Sequence, residues 1–278
     1  VKGVNVLAIE IVRSPYDQVM EEQKPQGRYN LNWYVCSVES IRLRAASAAG
    51  LVSAAERPQG LQVWNADLLA GDFDFDFAGS AEVLRPVTLS GPRNGTFSGK
   101  VVVDSTATIT GLKASMGPLA ADGATIPVAN VQVRYGAAWP GDWKGYRPSG
   151  ADMLLESPPA SVGADKGRAL APVWVTVKVP KEAKAGVYTG ELTVEADGLK
   201  PVKVAVKLDV QDWTLPDPQN YRTWLDLIQS PDSLAVEYKV PLWSPRHWEL
   251  IGRSFHYISD TGSRTLYVPL ICRTNFGN

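Results

Sequence analysis

Val187-Tyr-Thr-Gly-Glu-Leu-Thr-Val-Glu195 and Val202-Lys-Val-Ala-Val-Lys-Leu-Asp-Val210, joined across Asp197-Gly198, decide the fold. The second run alternates apolar and polar over most of its length, as an antiparallel strand with one buried face does. Asp-Gly between two such runs is a hairpin signal. Working outward, Val173-Trp-Val-Thr-Val-Lys-Val179 precedes the hairpin, with Pro180 and Gly186 as turn residues. Upstream lie Lys100-Val-Val-Val103, Thr106-Ala-Thr-Ile-Thr110 and Val128-Ala-Asn-Val-Gln-Val-Arg-Tyr135. Short strands at this spacing predict a β-sandwich over residues 99–215.

Downstream the periodicity changes. Pro216 to Thr223 reads as a Pro-rich linker. Trp224-Leu-Asp-Leu-Ile228 is a strand candidate, Ser244 to Ile258 a helix and Thr265 to Ile271 a second strand. Ser244 fits the N-cap, Pro245 the first helical position, and Gly262 lies just past the end. Trp248, Ile251, Phe255 and Ile258 recur at helical spacing as an apolar stripe. Strand, helix, strand is the unit of a parallel sheet, although Pro269 argues against a central strand.

Residues 47–98 read as a connector with some strand. Within it Gly71-Asp-Phe-Asp-Phe-Asp-Phe77 alternates fully, which predicts Phe73, Phe75 and Phe77 on one strand face and Asp72, Asp74 and Asp76 on the other. At about 7 Å intervals along a strand the carboxylates do not converge on one cation, so a solvated acidic face is expected and no metal site. Residues 1–46 hold two strand candidates, Val4–Val12 and Trp33–Leu43, separated by a polar loop from Ser14 to Asn32. Two strands bury no core alone. The chain opens on Val1 with no signal-peptide pattern and ends just after a strand, which reads as an internal fragment whose upstream and downstream parts are its missing partners.

Composition narrows the class. The 278 residues carry 28 Lys and Arg against 29 Asp and Glu, a formal charge of −1. That balance argues against nucleic acid or an anionic membrane as partner, since both select basic patches. No apolar run of 18 residues exists, so membrane insertion by a helix is not expected. Cys36 and Cys272 are too few for a disulfide framework or a cysteine zinc site and read as small buried hydrophobes. His247 and His256 leave little for a histidine metal centre and read as structural or surface residues. Neither cofactor nor metal is expected.

Lys2-Gly-Val-Asn-Val-Leu-Ala-Ile-Glu-Ile11 resembles a late strand of the galactose-binding-like jelly roll found beside many glycoside hydrolase domains. The run Val173 to Val194, with Ala185-Gly-Val-Tyr-Thr-Gly190 at its centre, followed by Val204 to Pro216, resembles glycoside hydrolase family 123. There a β-sandwich ends in a "Val…Thr-Leu-Pro" exit strand and a (β/α)8 barrel follows. Arg93-Asn-Gly-Thr-Phe-Ser-Gly-Lys-Val-Val-Val103 is similar to the family's opening strand, with Gly95 where Glu is commoner. Locally, Gly186 and Gly190 suit tight backbone approach and Tyr188 suits packing across the strand pair.

The fold expected is therefore mainly β. The end of a jelly roll (1–46) leads through a connector (47–98) to a β-sandwich (99–215), and then to the first strand–helix–strand of a truncated (β/α)8 barrel (216–278). The resemblance implies a hydrolase of terminal β-linked N-acetylhexosamine, N-acetylgalactosamine above all, acting outside the cell or in the periplasm on a glycan or glycoconjugate. It implies substrate-assisted catalysis, with an Asp orienting the acetamido group and an adjacent Glu as general acid and base. The adjacent acids in this sequence are Glu21-Glu22, in a loop before the sandwich, so the catalytic pair is expected outside the chain.

Barrel sites form at strand C-terminal ends. Two such stretches, Trp224–Ser230 and Ile271–Asn275, offer Asp226, Arg273 and Asn275 as substrate-binding residues; loop capping and salt bridging are the bland roles for the same residues. Trp139-Pro-Gly-Asp-Trp-Lys-Gly-Tyr146 groups three aromatics that suit sugar stacking, loop packing or a domain contact. Asn94-Gly-Thr96 is a glycosylation sequon. A non-catalytic carbohydrate-binding or cell-surface sandwich module is the alternative; it has no use for the helix after residue 222.

Overall fold

Alternating runs become strands because burial rewards one face of each. The computed structural model describes residues 8–12, 15, 17–23, 38–42, 44, 46–47, 49–50, 57–79, 82–138, 150–223 and 225–267. In chain order these hold helix α1 (Gln18–Gln23), then β1 (Gln62–Asn65), β2 (Val87–Arg93), β3 (Thr96–Ser105), β4 (Ile109–Thr110), β5 (Lys113–Met116), β6 (Leu119–Ala121) and β7 (Ala124–Ile126). There follow β8 (Val131–Ala137), β9 (Met153–Leu155), β10 (Ser161–Val162), β11 (Ala169–Lys178), β12 (Gly186–Ala196) and β13 (Leu199–Thr214). Last come β14 (Asp226–Ile228), α2 (Pro231–Tyr238), α3 (Pro245–Asp260) and β15 (Thr265–Tyr267).

Two sheets carry the core. One runs β1-β3-β11-β8-β9 and is antiparallel throughout. The other runs β2-β13-β12-β6-β7, with β5 also on β12. Val101, Val103, Val173, Val175 and Val177 from the first sheet and Leu192, Val194, Val204, Val206 and Leu208 from the second belong to one buried cluster. Each such side chain contributes roughly 1.5–3 kcal/mol of apolar burial. On β13 the alternation holds: Val204, Val206, Leu208 and Val210 are buried while Lys203, Lys207 and Asp209 are exposed. Gly198, at φ 79°, turns β12 into β13. A Cβ on Gly190 would press on Met116 Cε at 3.0 Å and Pro118 O at 3.3 Å, so glycine permits the neighbouring strands' approach. Tyr188 is buried and its hydroxyl donates to Lys184 O at 3.0 Å.

Pairing also takes in strands upstream of residue 99. Trp64 on β1 sits opposite Val102, and Leu89 on β2 opposite Leu208, the latter in a parallel pairing with β13. The outer face of β3 is covered too, where Val102 and Leu170 pack with Ala151, Trp64 and Ala66.

The alternating stretch 71–77 departs from its expected form. Among these residues only Phe73 makes a bridge, to Gly150, and residues 74–75 turn. Asp72 is buried against Lys100 rather than solvated, Phe75 is exposed, and the Phe73 and Phe75 rings stack at 5.1 Å. Lys100 supplies the reason. A cation on a covered sheet face needs an anionic partner, and that demand outweighs the strand alternation.

Residues 1–56 with 79–81 form a separate unit. Its described residues 8–12 and 38–42 are not in strands, and Ile9, Ile11, Val12, Val38 and Ile41 are exposed. The rest of both expected strands lies outside the described residues. The expected loop instead carries α1, whose backbone satisfies itself locally. Asp17 Oδ1 accepts from Val19 N–H at 2.9 Å and Gln18 Nε2 donates to Glu22 at 2.8 Å.

After the sandwich, β14 and β15 pair in parallel, Asp226 opposite Thr265 and Ile228 opposite Tyr267. Two helices connect them, not one. α2 is short and its ends are set by Pro231 at the first position and left-handed Lys239 (φ 53°) at the C-cap. On α3, Ser244 Oγ accepts from His247 N–H at 3.3 Å as expected of an N-cap. Its buried face, however, is His247, Leu250 and Ile251, and Trp248 is exposed. The expected stripe is thus rotated towards α2, which the sequence reading omitted. The Pro-rich linker forms a short 3-10 turn, Pro218–Asn220, and Arg264 donates to Gln219 O at 3.1 Å and Tyr221 O at 3.3 Å.

Candidate functional site

Parallel pairing puts the C-terminal ends of β14 and β15 side by side. Gln229 N–H donates to Tyr267 O at 3.0 Å and joins them. Asp226 is exposed and is the first residue of β14, at the opposite end of the strand. Arg273 and Asn275 lie outside the described residues, as do Cys36, Cys272 and the Trp139–Tyr146 loop.

The strand end carries two polar groups instead. Gln229 is 5 % exposed, and neither its Oε1 nor the buried Ser230 Oγ has a hydrogen-bond partner among the described residues. Ser230 occupies the N-cap of α2 but makes no side-chain cap bond. A buried polar atom left unpaired costs roughly 1–3 kcal/mol, so each such atom in a native structure calls for an explanation. An acceptor and a hydroxyl at the end of a parallel strand suit the hydroxyls of a bound molecule.

The same connection ends in aromatics. His247, fully buried on α3, accepts at Nδ1 from Trp243 N–H at 2.8 Å. Nε2 therefore carries the ring hydrogen and donates to Pro231 O at 2.8 Å. That residue directly follows Ser230, so one imidazole ties the start of α3 to the end of β14. Its role is structural, in line with the sequence reading. His256 is exposed, 3.8 Å from Asp260. Trp243 has left-handed backbone, φ 63°. Its ring lies 5.4 Å from that of Trp248, tilted by 42°. At the far end of α3, a Cβ on Gly262 would run into Pro218 O, so that end packs on the linker that leads into β14. α3 thus returns antiparallel to the strands and starts at their C-terminal side. Within the stretch Trp224–Ser230 sequence reasoning chose Asp226 over Gln229 and Ser230, and it did not single out Trp243. The available signal was polar residues directly after an apolar strand, and Trp-Ser-Pro at a helix start.

A groove of about 540 Å³ beside the sandwich is lined by Asn65, Arg85, Thr88, Ser98, Lys100 and Lys207. Lys100 is already engaged. Its ammonium donates to Asp72 Oδ2 at 2.7 Å and Ala70 O at 2.8 Å and stands 5.1 Å from the Trp174 ring centre. Burial holds the Asp72 carboxyl above its ordinary range despite the ammonium. Asp104 is raised for the same reason, although Arg57 lies at 3.2 Å and Trp64 Nε1–H at 2.6 Å. Arg57 also donates to Asp74 O and, at 2.8 Å, to Asp76 O. These groups fasten residues 57–78 to the sheet, a structural task.

Asn94 is similarly occupied. Its amide donates to Leu215 O at 3.0 Å and to Asp217 Oδ1 at 2.9 Å, so the sequon's nitrogen serves the exit from the sandwich. No group of three or more metal-ligating side chains occurs among the described residues, and none of their helices is long and apolar enough to cross a membrane.

Residues 84–196 match the family model described as the glycoside hydrolase 123 N-terminal domain. A solved family 123 glycoside hydrolase from Clostridium perfringens, studied for hydrolysis of glycolipid glycans, superposes with a TM-score of 0.60 at 19% identity. The match covers 74% of this chain and 37% of that one, so the chain spans little over a third of that enzyme's length. A xyloglucanase from Bacteroides ovatus gives a TM-score of 0.24 at 13% identity over 51% of this chain and 20% of its own, and carries no argument. No curated protein matches the sequence.

Proposed function

With the glycoside hydrolase 123 N-terminal domain at residues 84–196 as premise, we propose that the chain is the sandwich and the first strands of a (β/α)8 glycosidase. In this reading it acts on terminal β-linked N-acetylgalactosamine. The observation that carries the reading is that domain's continuation into the parallel β14–β15 pair, which an all-β adhesion module does not need. Glycolipid headgroups are the proposed substrate class, by analogy with the Clostridium perfringens enzyme.

In the proposed mechanism the substrate's acetamido oxygen attacks its own anomeric carbon. An Asp aligns that group and a neighbouring Glu protonates the leaving oxygen; both are proposed to lie outside these 278 residues. This chain's part is to bind. Gln229 Oε1 accepts from a sugar hydroxyl and Ser230 Oγ donates or accepts, while Arg273 and Asn275 keep their proposed role as donors at the second strand end. The position of Asp226 at the start of β14 favours Gln229 and Ser230 over it as the contacts from that strand.

The test compares two chromogenic substrates. An enzyme containing this chain and its downstream barrel should cleave a β-N-acetylgalactosaminide in strong preference to the unacetylated galactosaminide. Equal rates would overturn the substrate-assisted mechanism. The 278-residue chain alone should be inactive, because loss of a general acid removes about 10²–10⁴ in rate; turnover by it would overturn the placement of the pair.

A further inference from the structure

We propose that the groove beside the sandwich, between the end of β1 and the start of β2, binds a sugar that carries an acidic group. It is a second glycan site, on the sandwich rather than at the ends of β14 and β15. That the ligand is a sugar rests on the glycosidase reading; that it is acidic rests on the groove itself.

Charge is the first observation. Three cations line the groove and no carboxylate does. Asp72 neutralises Lys100 at 2.7 Å. Arg85 and Lys207 enter no ion pair among the described residues. Across both neighbouring strands Lys207 stands opposite a threonine, Thr88 on β2 and Thr189 on β12. Two uncompensated cations around one concavity focus a positive potential there. An ionised oxygen acceptor forms the stronger, charge-assisted hydrogen bond with either of them.

Placement is the second. The Asn65 side chain accepts from Arg85 N–H at 2.7 Å and donates to Arg85 O at 2.9 Å, which fixes the Arg85 backbone to the end of β1. Gly99, where a Cβ would run into Val87, lets the segment after Arg85 cross close to β3. Sheet pairing sets Lys207 beside that segment. The charges are therefore carried on a wall already built before a ligand arrives, which lowers the entropy cost of binding.

An open strand edge is the third observation, and it decides the occupant. β1 pairs with β3 only from Asp104 to Val101, while β2 pairs with β13. Residues 98–100 thus have no strand partner on the β1 side among the described residues. Successive residues of an antiparallel strand direct their backbone groups to alternate sides, so at least one N–H and C=O of these three faces the open edge. Those groups and the Thr88 and Ser98 hydroxyls suit the hydroxyls of a sugar. Three residues of edge span about 10 Å, long enough for one or two sugar rings and short for an added strand of about five or six residues. The volume of about 540 Å³ is that of a small-molecule cleft. A bare inorganic anion would leave most of it unfilled.

The probe is the disaccharide of glucuronic acid and N-acetylgalactosamine, with its methyl ester as the uncharged control. Titrated into the isotope-labelled 278-residue chain, the acid should shift the amide resonances of residues 85–88 and 98–100, and the ester should bind at least tenfold more weakly. Arg85→Gln and Lys207→Gln should each weaken binding of the acid about tenfold, the loss of one charge-assisted hydrogen bond. Lys203→Gln, on the same strand but outside the groove lining, removes the same charge and should keep the affinity. Equal binding of acid and ester, shifts elsewhere in the chain, or equal losses in Lys203→Gln and Lys207→Gln would overturn the site. Inorganic sulfate that displaces the acid at equal concentration would overturn the sugar and leave an anion site only. An active hexosaminidase whose chain binds acid and ester alike loses the groove and keeps the function. Selective binding of the acid by a chain whose enzyme lacks hexosaminidase activity keeps the groove and sinks the function.

Discussion

Lys100 and Asp72 are charged residues sealed between β3 and the segment over it, and their cost is only tolerable as a pair. Lys100→Met leaves an uncompensated carboxylate in a buried place, and breaking such a pair by one partner costs about 3–5 kcal/mol. Urea unfolding should register that loss, and Asp72→Asn with Lys100→Met together should recover much of it. The raised Asp72 carboxyl also fixes a sign. Below the ordinary value of 3.8 both states hold the proton and the full contribution is present; it is lost as pH rises through the higher folded value. The stability of wild type relative to Asp72→Asn should therefore fall as pH rises from about 4 and then level off. A difference that stays flat with pH would contradict this. The alternation at 71–77 was visible in sequence; the identity of what faced Asp72 was not, because Lys100 lies 28 residues away and reads as an ordinary strand lysine.

Helix α3 was legible as an element because its signals are local. Ser244, Pro245 and Gly262 mark its ends by chemistry that involves neighbours in sequence. Ser244→Ala removes the acceptor for His247 N–H and should cost about 1 kcal/mol, read by chemical denaturation. α2 was not legible, being eight residues long with a weak apolar pattern. Its omission explains why the buried face of α3 was set wrongly: the face is chosen by what packs against it. The hairpin from β12 to β13 belongs to the opposite case. Its glycines and Tyr188 were assigned structural roles from sequence, and Tyr188→Phe, which deletes the bond to Lys184 O, should cost about 0.5–1.5 kcal/mol by the same measurement.

Across the unit formed by residues 57–78 and 82–278, the sandwich and the β14–β15 segment differ in how much they bury. β3, β11, β12 and β13 contribute fully buried valines and leucines, whereas β14 and β15 are three residues each. Amides of those four sandwich strands should exchange slowest with deuterium, and those of β14 and β15 distinctly faster. Gly262 joins the two parts through its contact with Pro218 and its φ of 80°. Gly262→Ala should cost about 1–3 kcal/mol and raise exchange in β14 and β15 while β11 keeps its protection. Uniform deprotection of the sandwich would show that the glycine's contact is not local.

By itself the sequence determined the long sandwich strands β3, β11, β12 and β13, the hairpin and the helix ends of α3; it did not give the short strands β5–β7, β9 and β10, and Val128–Asn130, read as strand, is a 3-10 turn. The features it determined are written in alternation, turn residues or caps, which act over a few neighbouring residues. It also carried the family resemblance over residues that the family model matches. Tertiary structure decided the parallel pairing of β2 with β13, the burial of Asp72 and Asp104, the facing of α3 and the exposure of Trp243 and Trp248. It also put Asp226 at the start of β14 and Gln229 and Ser230 just past its end, since only the pairing register says where a strand begins and ends. Partners distant in sequence set all of these, and no local pattern encodes which distant residue a side chain will meet.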